Sequence, residues 1–427
     1  LPGRADARAH GGEPAWQSPG APFDLVVVIP PDSPVLVGPA SGSVVNPAAQ
    51  RLQVTVDDVN GQNLEVTFYG RPATLIPSDP FTFVVLPDTQ NYTLSDSAAL
   101  LFQEQANWIV RQQNNFNIQM VSHLGDITEN GNIEAEWQRA SQAMAILDQA
   151  GIRSGIIPGN HDLVGDYAAY RRYFPPNRYQ GHTWYGGYLG DPNDGIPDFG
   201  SDRQNMDNYQ LFSVSGMDFI IVNLETDPPQ VALDWAEALL QAYAQRWAVL
   251  TTHHFIDASA SRPAEPYLAL PGHTSPEMVW QQVIYPHCNV FLVLSGHDPG
   301  EARRTDANRC GEPVYQLLQD YQNRANGGNS WLRYLVFKPL EDQIEVYTYS
   351  PSLEKDETDA DSQFTLDFPM AGANPFREIG MVLTTAGSLV EVTWADLLVG
   401  ETYEWYVVVS DGQAQTISAT WLLHIQP

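Results

Sequence analysis

The sequence predicts an α/β domain combined with an all-β sandwich, because two hydrophobic patterns occupy different parts of the 427-residue chain. In the middle, apolar runs alternate with helical patterns such as SAALLFQEQANWIVRQQ and ALDWAEALLQAYAQ, which is typical of an α/β layer fold. Near both ends, short alternating runs such as RLQVTV and YEWYVVVSDG are separated by turn residues, which is typical of a β-sandwich.

These patterns divide the chain into segments. Residues 1–22 are small, polar and rich in Gly and Pro, and we expect a flexible extension there. Residues 23–77 and 374–427 are predicted to be the two halves of the sandwich, and residues 78–373 the α/β domain. Each half has only about three or four of the roughly seven strands of a sandwich, so we expect one split domain, with two partial β modules as the alternative.

The composition restricts the partners of the protein. It has 21 basic and 51 acidic residues, a formal net charge of -30, and such a surface repels nucleic acid and anionic lipid. The sequence has no apolar run of about eighteen residues, so it predicts no transmembrane segment. We interpret the polar start as that of a mature exported chain, and we expect a secreted, extracellular or cell-surface location.

Two further features leave alternatives open. Cys288 and Cys310 are the only cysteines, and they form either a disulfide or two buried thiols. The acidic segments 190–202 and 353–361 offer the clustered oxygen ligands that calcium prefers. Neither has the spacing of a calcium-binding loop, so solvated surface loops are the alternative.

Five apolar runs of the middle region end in polar residues that can bind a metal ion. These residues are Asp88, Asp126, Asn160 with His161, His253 with His254, and His297. Because helical patterns lie between the runs, the residues are predicted to lie along the carboxyl edge of a sheet, where α/β folds place their sites. Asp, Asn and His without a thiolate suit Zn, Mn or Fe better than an all-oxygen calcium or magnesium site.

A two-metal hydrolase of phosphoric esters requires this type of ligand set. A carboxylate bridges two cations, and a metal-bound water becomes hydroxide near neutral pH and attacks phosphorus. We assign the bridging role to Asp126. Since His161 directly follows the predicted ligand Asn160, we expect His161 to protonate the leaving oxygen, with Asp162 fixing its tautomer.

The motifs PDTQ, LGDITENG, PGNHD, LTTHH and LSGH, in this order, resemble those of the calcineurin-like metallophosphoesterase superfamily, in the secreted bacterial branch whose first motif is Asp-Thr-Gln. The stretches LLQDYQ, GGNSWLRYLVF and VYTYSP also resemble that branch. The resemblance covers about residues 78–352. It implies a four-layer fold in which two stacked mixed sheets are flanked by helices.

The β-rich ends resemble a second family. The stretch LLVGETYEWYVVVSDG is similar to the later strands of a fibronectin type III domain, and LQVTVDDVNGQNLEVTFYG is similar to the earlier strands. The family's tyrosine corner and core correspond here to Leu398, Gly400, Tyr403 and Trp405. We expect such a sandwich to serve extracellular self-association or contact with a cell surface.

The phosphoesterase resemblance implies that the second metal site is complete. Its ligands are Asp126, Asn160, His253 and His297. His253 is chosen over His254 because the family pattern is a strand, then Thr-His, then a variable residue. We therefore expect one firmly bound divalent transition metal ion, Mn, Zn or Fe.

The first metal site departs from the family pattern. Asp88 and the shared Asp126 match it, but Gln90 replaces a histidine, and Pro299 replaces the second histidine of Gly-His-x-His. Proline has no side-chain donor, whereas the carbonyl oxygen of a glutamine is acceptable to Mn or Mg. Glu129 is a further candidate for the missing donor. We expect the cation at this site to be weakly held, exchangeable or absent.

Three more side chains are candidates for contact with metal or substrate. They are His254, Glu225 at the end of DFIIVNLE, and Arg303 just after the last motif. An arginine can hold a phosphate oxygen in a bidentate manner. Internal ion pairs or a supporting role behind the ligands are the alternatives for these residues.

Together these observations predict an exported metal-dependent hydrolase of phosphoric esters, either a phosphodiesterase or a phosphomonoesterase. The expected substrate is a small or lipid-derived phosphate ester, and nucleic acid is excluded by the charge of the chain. The alternative is an extracellular structural or binding protein with a degenerate, non-catalytic phosphoesterase domain. Gln90 and Pro299 motivate that alternative, whereas the complete second site counts against it.

Overall fold

The computed structural model describes most of the chain and divides it into two compact units. The described residues are 29–45, 49–72, 79–163, 167–268, 270–370, 376–395 and 397–426. The predicted extension, residues 1–22, lies outside them. The smaller unit is Leu1–Arg71 with Glu378–Pro427, and the larger unit is Pro72–Arg377. The predicted limits 78 and 373 fall a few residues inside the larger unit.

Strands dominate both units. In chain order they are β1 (Val35–Gly38), β2 (Ser43–Val45), β3 (Gln50–Val56), β4 (Asn63–Pro72), β5 (Phe81–Leu86), β6 (Ile118–His123), β7 (Ser154–Ile156), β8 (Tyr185–Tyr188), β9 (Asn208–Val214), β10 (Met217–Leu224), β11 (Trp247–Thr252), β12 (Val290–Ser295), β13 (Gly300–Ala307), β14 (Pro313–Asp320), β15 (Leu332–Lys338), β16 (Gln343–Ser350), β17 (Lys355–Glu357), β18 (Phe364–Asp367), β19 (Arg377–Thr385), β20 (Ser388–Trp394), β21 (Thr402–Ser410), β22 (Gln415–Ile417) and β23 (Trp421–Ile425).

The described helices belong to the larger unit. The α-helices are α1 (Asp96–Gln112), α2 (Glu134–Gln149), α3 (Ala168–Tyr173), α4 (Gln230–Ala242) and α5 (Pro276–Val279). Helix α1 begins at Ser95, whose side chain accepts a hydrogen bond from the backbone N–H of Ala98, as an N-cap does. Ser275 and Pro276 start α5 in the way the sequence predicts. None of the helices in the described ranges is long and apolar enough to cross a membrane.

Two mixed sheets form the centre of the larger unit. One has the strand order β17-β16-β15-β5-β6-β7, with β18 paired to β16, and the other has the order β13-β14-β12-β11-β10-β9-β8. Strands β5, β6 and β7 are parallel to one another, and so are β10, β11, β12 and β14. Parallel neighbours end at the same edge of a sheet, so the loops after these strands lie together.

The alternating residues of β5 show how the layers stack. Phe81, Phe83 and Val85 belong to the core between the two sheets, whereas Val84 and Leu86 belong to the core that α1 and α2 cover. Helix α4 covers the outer face of the second sheet. The larger unit therefore has a mixed α/β architecture in four layers, with two stacked sheets between helices, which agrees with the predicted fold class.

The two β-rich ends of the chain form one sandwich. One sheet has the order β1-β3-β20, and the other has the order β19-β4-β21-β23-β2, with β22 paired to β21. Each sheet thus combines strands from both ends, and a single apolar core lies between the sheets. Within it Trp405 stacks on Phe68, and the Tyr403 hydroxyl accepts a hydrogen bond from the backbone N–H of Leu398 at 2.9 Å. The likeness to fibronectin type III domains stays a prediction.

Of the two alternatives for the cysteines, the structure has the disulfide. Cys288 lies just before β12, and Cys310 lies between β13 and β14. Their Cα atoms are 5.7 Å apart, which is within the usual range for a bridge. The disulfide therefore joins the start of β12 to the β13–β14 connection in the second sheet.

Candidate metal centre

Five of the six metal ligands predicted from the sequence follow the carboxyl ends of strands in the two central sheets, and Gln90 lies two residues after the first of them. These residues are Asp88 after β5, Asp126 after β6, Asn160 after β7, His253 after β11 and His297 after β12. The first three strands belong to one sheet and the last two to the other. The strand ends thus bring together residues that are more than two hundred positions apart in the chain. The hydrogen bond that His297 donates to Asp88 is an example.

The predicted second metal site contains three closely spaced donor atoms. Oδ1 of Asn160 lies 3.0 Å from Nε2 of His253 and 2.7 Å from Nδ1 of His297. The two ring nitrogens are 3.3 Å apart. An amide oxygen and two imidazole nitrogens that point at one another leave lone pairs without donors unless a proton or a cation lies between them. The arrangement therefore fits a bound cation.

The protonation state of His253 supports this geometry. Its Nδ1 lies 2.9 Å from the backbone oxygen of Leu124, which can only accept, so Nδ1 carries a proton and the lone pair of the neutral ring is on Nε2. Burial lowers the pKa of His253, but the negative charges of Asp126 and Asp88 outweigh burial and raise it to about 10. The surroundings of Nε2 thus favour a positive charge, which a divalent cation supplies in place of a proton.

Asp126 lies between the two predicted metal sites. Its Oδ1 is 3.4 Å from Nε2 of His253 and accepts a hydrogen bond from the backbone N–H of His161 at 2.9 Å. Asp88, Asp126 and His253 are all buried, and each offers a ligand atom within 4.8 Å of the other two. The backbone of Asp126 has a left-handed φ of 46°, a strained conformation that often occurs at functional sites. This central position is the one a shared ligand requires.

The residues around Asp88 form the predicted first metal site. Asp88 accepts a hydrogen bond from the backbone N–H of His297 at 3.1 Å, and it approaches Gly296 so closely that a Cβ there would lie 2.1 Å from Oδ1. The side-chain nitrogen of Gln90 donates to the side chain of Gln322, whereas Oε1 of Gln90 is buried without a partner among the described residues. Pro299 is exposed and offers no donor atom.

His161 and Glu129 form a pair at the edge of the centre. Nδ1 of His161 lies 2.9 Å from the backbone oxygen of Glu129 and 3.7 Å from its carboxylate. Because the backbone oxygen only accepts, Nδ1 carries the proton and Nε2 is the free atom. Burial lowers the pKa of His161, but Asp126 and Glu129 outweigh burial and raise it. Glu129 therefore holds His161 in place. None of the described contacts of Glu129 places its carboxylate at Asp88.

The prediction that Asp162 fixes the tautomer of His161 is wrong. The carboxylate of Asp162 accepts hydrogen bonds from the backbone N–H groups of Ile127, Thr128 and Gly159, and from the Thr128 hydroxyl, at 2.8 to 3.0 Å. It is 1 % exposed. Asp162 thus ties the loop after β6 to the loop after β7, and the backbone of Glu129 takes the role that the sequence had suggested for it.

Glu225 lies at the predicted sheet edge but is engaged elsewhere. It is buried and forms an ion pair with Arg203, and its backbone N–H donates to Asp207 at 3.0 Å. This internal pairing corresponds to the supporting role given as the alternative for Glu225. Its carboxylate has no described contact with a ligand of the metal centre.

His254 contacts the centre through its ring, and Arg303 does not. Nδ1 of His254 lies 2.8 Å from Asp227, and the rings of His254 and His297 are 4.8 Å apart. Arg303 has its guanidinium 4.5 Å from the ring centre of Phe364 and forms a long ion pair with Asp361. In the described part of the chain, Arg303 is therefore part of the β13 surface, as its alternative role suggested.

Two buried polar residues of the centre were not predicted from the sequence as functional. Asp320 is the last residue of β14 and is 1 % exposed. Burial raises the pKa of Asp88 well above its usual range, and Asp320 is the nearby charge that raises it most. The run VYQLLQD shows the same pattern as the other ligands, an apolar strand that ends in aspartate. His123 lies 3.0 Å from the Thr89 hydroxyl and helps to hold the loop after β5.

In the acidic loops, the described side chains do not form a group of three or more acidic or histidine residues close enough to share a metal ion. In segment 190–202, Asp191, Asp194 and Asp198 each accept a backbone N–H two residues further on, as turn residues do. In segment 353–361, Glu357 pairs with Arg324. Among the described residues, the acidic and histidine side chains that lie close enough to share a metal ion are those of Asp88, Asp126 and His253.

The donor atoms of the centre fit a divalent cation. They comprise two carboxylates, one amide oxygen and two imidazoles, all at or next to the buried Asp126. This mixture suits Mn, Zn or Fe. A buried ligand set at the carboxyl edge of two stacked mixed sheets is the arrangement expected of a metal-binding α/β protein.

The chain belongs to the calcineurin-like phosphoesterase family, whose model matches residues 81–301. The matched range contains the six predicted metal ligands, Gln90 among them, and His161. The family uses divalent metal ions to hydrolyse phosphoric esters, and the buried cluster of Asp88, Asp126 and His253 fits one such ion.

The chain is similar to a bacterial protein without an assigned function. It is 30% identical over 375 residues to the uncharacterized protein YvnB of Bacillus subtilis strain 168, a match that covers 80% of this chain and 27% of that protein. The chain thus spans about a quarter of the length of the curated relative it matches. Among solved structures, an endo-beta-1,4-mannanase from Thermotoga petrophila aligns over 80% of this chain and 78% of its own, with 8% identity and a TM-score of 0.21, which carries no argument.

Proposed function

We propose that the protein is a phosphodiesterase or phosphomonoesterase whose catalytic centre is built around Asp126. The observation that carries this proposal is the convergence of the Asn160 oxygen with the His253 and His297 nitrogens beside that carboxylate. Bound divalent cations supply a nucleophile from water near neutral pH and neutralise charge on the phosphate. Asp126 holds the centre together, because it faces both His253 and the Asp88 side.

His161 is proposed to protonate the leaving oxygen of the ester. It is partly exposed beside the buried ligand Asp126, so a substrate can reach its Nε2. The backbone oxygen of Glu129 fixes the ring through Nδ1, and the carboxylates around it favour the protonated form. A histidine with a raised pKa and a fixed orientation is suited to general acid catalysis.

A cleft next to Gln90 is the proposed substrate site. It has a volume of about 660 Å³, and its walls include Asn91, Ser95 and Gln322. Gln322 contacts both Gln90 and Asn91, so the cleft lies on the Gln90 side of the centre, although no predicted metal ligand is among its lining residues. Clefts of this size hold small molecules, and the net charge of -30 disfavours nucleic acid. A small or lipid-derived phosphate ester is therefore the proposed substrate class.

We also propose an exported protein whose sandwich contacts a cell surface or a second copy outside the cell. The Cys288–Cys310 disulfide supports an oxidising location. Large apolar side chains of the sandwich, Leu383 and Leu398 among them, are 72% and 66% exposed, which supports a contact surface there.

Hydrolysis is tested on the full chain after removal of metal. We expect the stripped protein to be inactive on an aryl phosphodiester and an aryl phosphomonoester, and to regain turnover with Mn, Zn or Fe. A variant of the exposed His182, His182→Asn, serves as a control that should turn over like the wild type. Binding of metal without turnover of either ester in any of these ions would support the non-catalytic alternative that Gln90 and Pro299 motivate.

Replacing His161 by asparagine is expected to lower kcat by about 10² to 10⁴-fold, the usual contribution of a general acid. The metal content should stay that of the wild type, because the ring of His161 is not among the closely spaced donor atoms. The loss should be larger for esters of alcohols than for esters of nitrophenols, since a poor leaving group needs the proton more. An equal loss for both leaving groups would assign His161 to substrate positioning instead.

A further inference from the structure

We infer that Asp320 is a ligand of the first metal site, and that Asp320 and the Gln90 carbonyl oxygen together take the places left by the two missing histidines. This inference rests on the proposed function, since it concerns the same metal centre. It replaces the expectation of a degenerate first site by an intact site with a different ligand set.

The register of the second sheet places Asp320 at the centre. Strands β12 and β14 are parallel neighbours in which Ser295 pairs with Leu318. Two residues further along each strand direction are His297, just beyond β12, and Asp320, the last residue of β14, so both lie at the carboxyl edge of the sheet. His297 donates its backbone N–H to Asp88 at 3.1 Å. Asp88 and Asp320 therefore flank the same short segment. The carboxylate of Asp320 lies outside the group of ligand atoms within 4.8 Å of one another, so it must turn towards Asp88 when the ion binds.

A chain of hydrogen bonds fixes which atom of Gln90 is available to a metal ion. Asp320 accepts from both the backbone N–H and the side-chain nitrogen of Gln322, each at 2.8 Å. Because that nitrogen faces Asp320, the side-chain oxygen of Gln322 faces Gln90 and accepts from its side-chain nitrogen. The Oε1 atom of Gln90 then points away from Gln322.

The Oε1 atom of Gln90 is buried and has no hydrogen-bond partner in the described part of the chain. Gln90 itself is 5% exposed, and it lies two residues after Asp88. A buried carbonyl oxygen without a donor is uncommon in a native structure and requires an explanation, such as an ion. A cation next to Asp88 provides that explanation.

The charges around the first site also favour a cation. Asp88, Asp126 and Asp320 are each 1 to 2% exposed. Within the described ranges, Asp126 forms an ion pair with His253, whereas no arginine or lysine pairs with Asp88 or Asp320. Buried carboxylates are stable when they are paired or when they coordinate a metal ion. Asp320 thus adds a negative charge where the family pattern has neutral histidines.

The inferred ligand set also predicts the type of cation. Asp88, Asp126, Asp320 and Gln90 offer only oxygen atoms, which suit Mg or Mn, whereas the second site offers two imidazoles, which suit Zn, Mn or Fe. We therefore expect two sites of different preference in one centre. The first site should take up Mn or Mg after Zn has filled the second site.

The test measures metal binding in the stripped full chain and does not depend on turnover. After equilibration with Mn, the wild type should contain two ions per chain and give the electron paramagnetic resonance spectrum of a coupled pair. The D320N variant should contain one ion and give an isolated Mn spectrum, or should need at least about a 10-fold higher Mn concentration for the second ion. Asp306→Asn, which removes a carboxylate paired with Arg304 on the neighbouring strand, should keep the coupled pair.

Each outcome decides the inference. Two ions with a coupled spectrum in D320N, at the Mn concentration that saturates the wild type, would overturn it, and so would a single ion in the wild type. If D320N does not fold, Gln90→Met decides, because it removes the carbonyl oxygen with little change of shape and should also lose the coupled spectrum. A wild type with two ions but without turnover would contradict the proposed hydrolysis and leave the metal site supported.

Discussion

Replacing Asp126 by asparagine is expected to have the largest effect on function, with loss of both cations and a fall in turnover of more than about 10³-fold. This exceeds the loss of about 10² to 10³-fold that the removal of one electrostatic group from an active site causes. The reason is the position of Asp126, which faces His253 at 3.4 Å and shares a cluster of ligand atoms with Asp88. An amide in its place has no charge to hold two cations together.

Three measurements check this prediction. The metal content of D126N should fall towards zero under conditions that load the wild type. The wild type should gain about 2.7 kcal/mol of stability at a free metal concentration 100-fold above its Kd, and the variant should not. His287, which is buried and bonded to the backbone of Val283, provides a matched control in His287→Asn, which should keep both metal binding and turnover. Retention of one ion in D126N would show that the two sites do not share Asp126.

The pattern of strand ends predicts the convergence of these side chains, because it depends on sheet geometry alone. An apolar run that ends in Asp, Asn or His identifies the edge of the sheet from the sequence, and parallel pairing then brings these ends together. Asp88, Asn160 and His297 follow this rule although they come from different sheets. The mixed α/β fold follows from the same alternation of runs and helices.

The same pattern gives no distance along the sheet edge, and Glu225 shows the consequence. It follows β10 as His253 follows β11, yet its partner is Arg203 from the connection between β8 and β9. Loop conformation decides such pairings, and no periodicity encodes it. Asp320 shows the opposite error, a residue that was overlooked. It ends an apolar strand as the pattern requires, but it lies after LSGH, the last of the ordered phosphoesterase motifs.

Adjacency in the sequence also misleads about side-chain contacts. Asp162 directly follows His161, but the turn at this point sends the two side chains to different partners. Besides the nearby Gly159, the backbone N–H groups that donate to Asp162 are those of Ile127 and Thr128 in the loop after β6, about 35 positions earlier in the chain. A contact of this kind becomes visible only when the two loops are placed next to each other.

Two glycines lie in close contact with the carboxylates of the metal centre, Gly159 with Asp126 and Gly296 with Asp88. Their alanine variants should have different effects on the two metal sites. A Cβ at residue 159 would lie 2.1 Å from Oδ1 of Asp126 and 2.2 Å from its backbone nitrogen. Gly159→Ala must therefore shift the backbone of the shared ligand. We expect it to lose both cations, to lose turnover, and to be destabilised by about 1 to 3 kcal/mol, as overpacked sites are.

Gly296→Ala acts on the first site alone. A Cβ at residue 296 would lie 2.1 Å from Oδ1 of Asp88, while the next described neighbours lie at 3.2 and 3.5 Å. The carboxylate of Asp88 must turn away, but Asn160, His253 and His297 keep their positions. We expect this variant to retain the cation of the second site, to lose the one at the first site, and to show strongly reduced turnover.

The contrast between the two variants is measured by metal content, calorimetric titration with Mn and thermal unfolding. Gly38→Ala, whose added carbon would lie an ordinary 3.5 Å from a side-chain oxygen of Gln53, should bind both cations and turn over substrate like the wild type. Loss of both cations in Gly296→Ala would mean that Asp88 is needed for the second site as well. Full activity of Gly296→Ala with a single cation would instead mean that the second site alone performs the hydrolysis, because Asp88 is the ligand that this variant displaces.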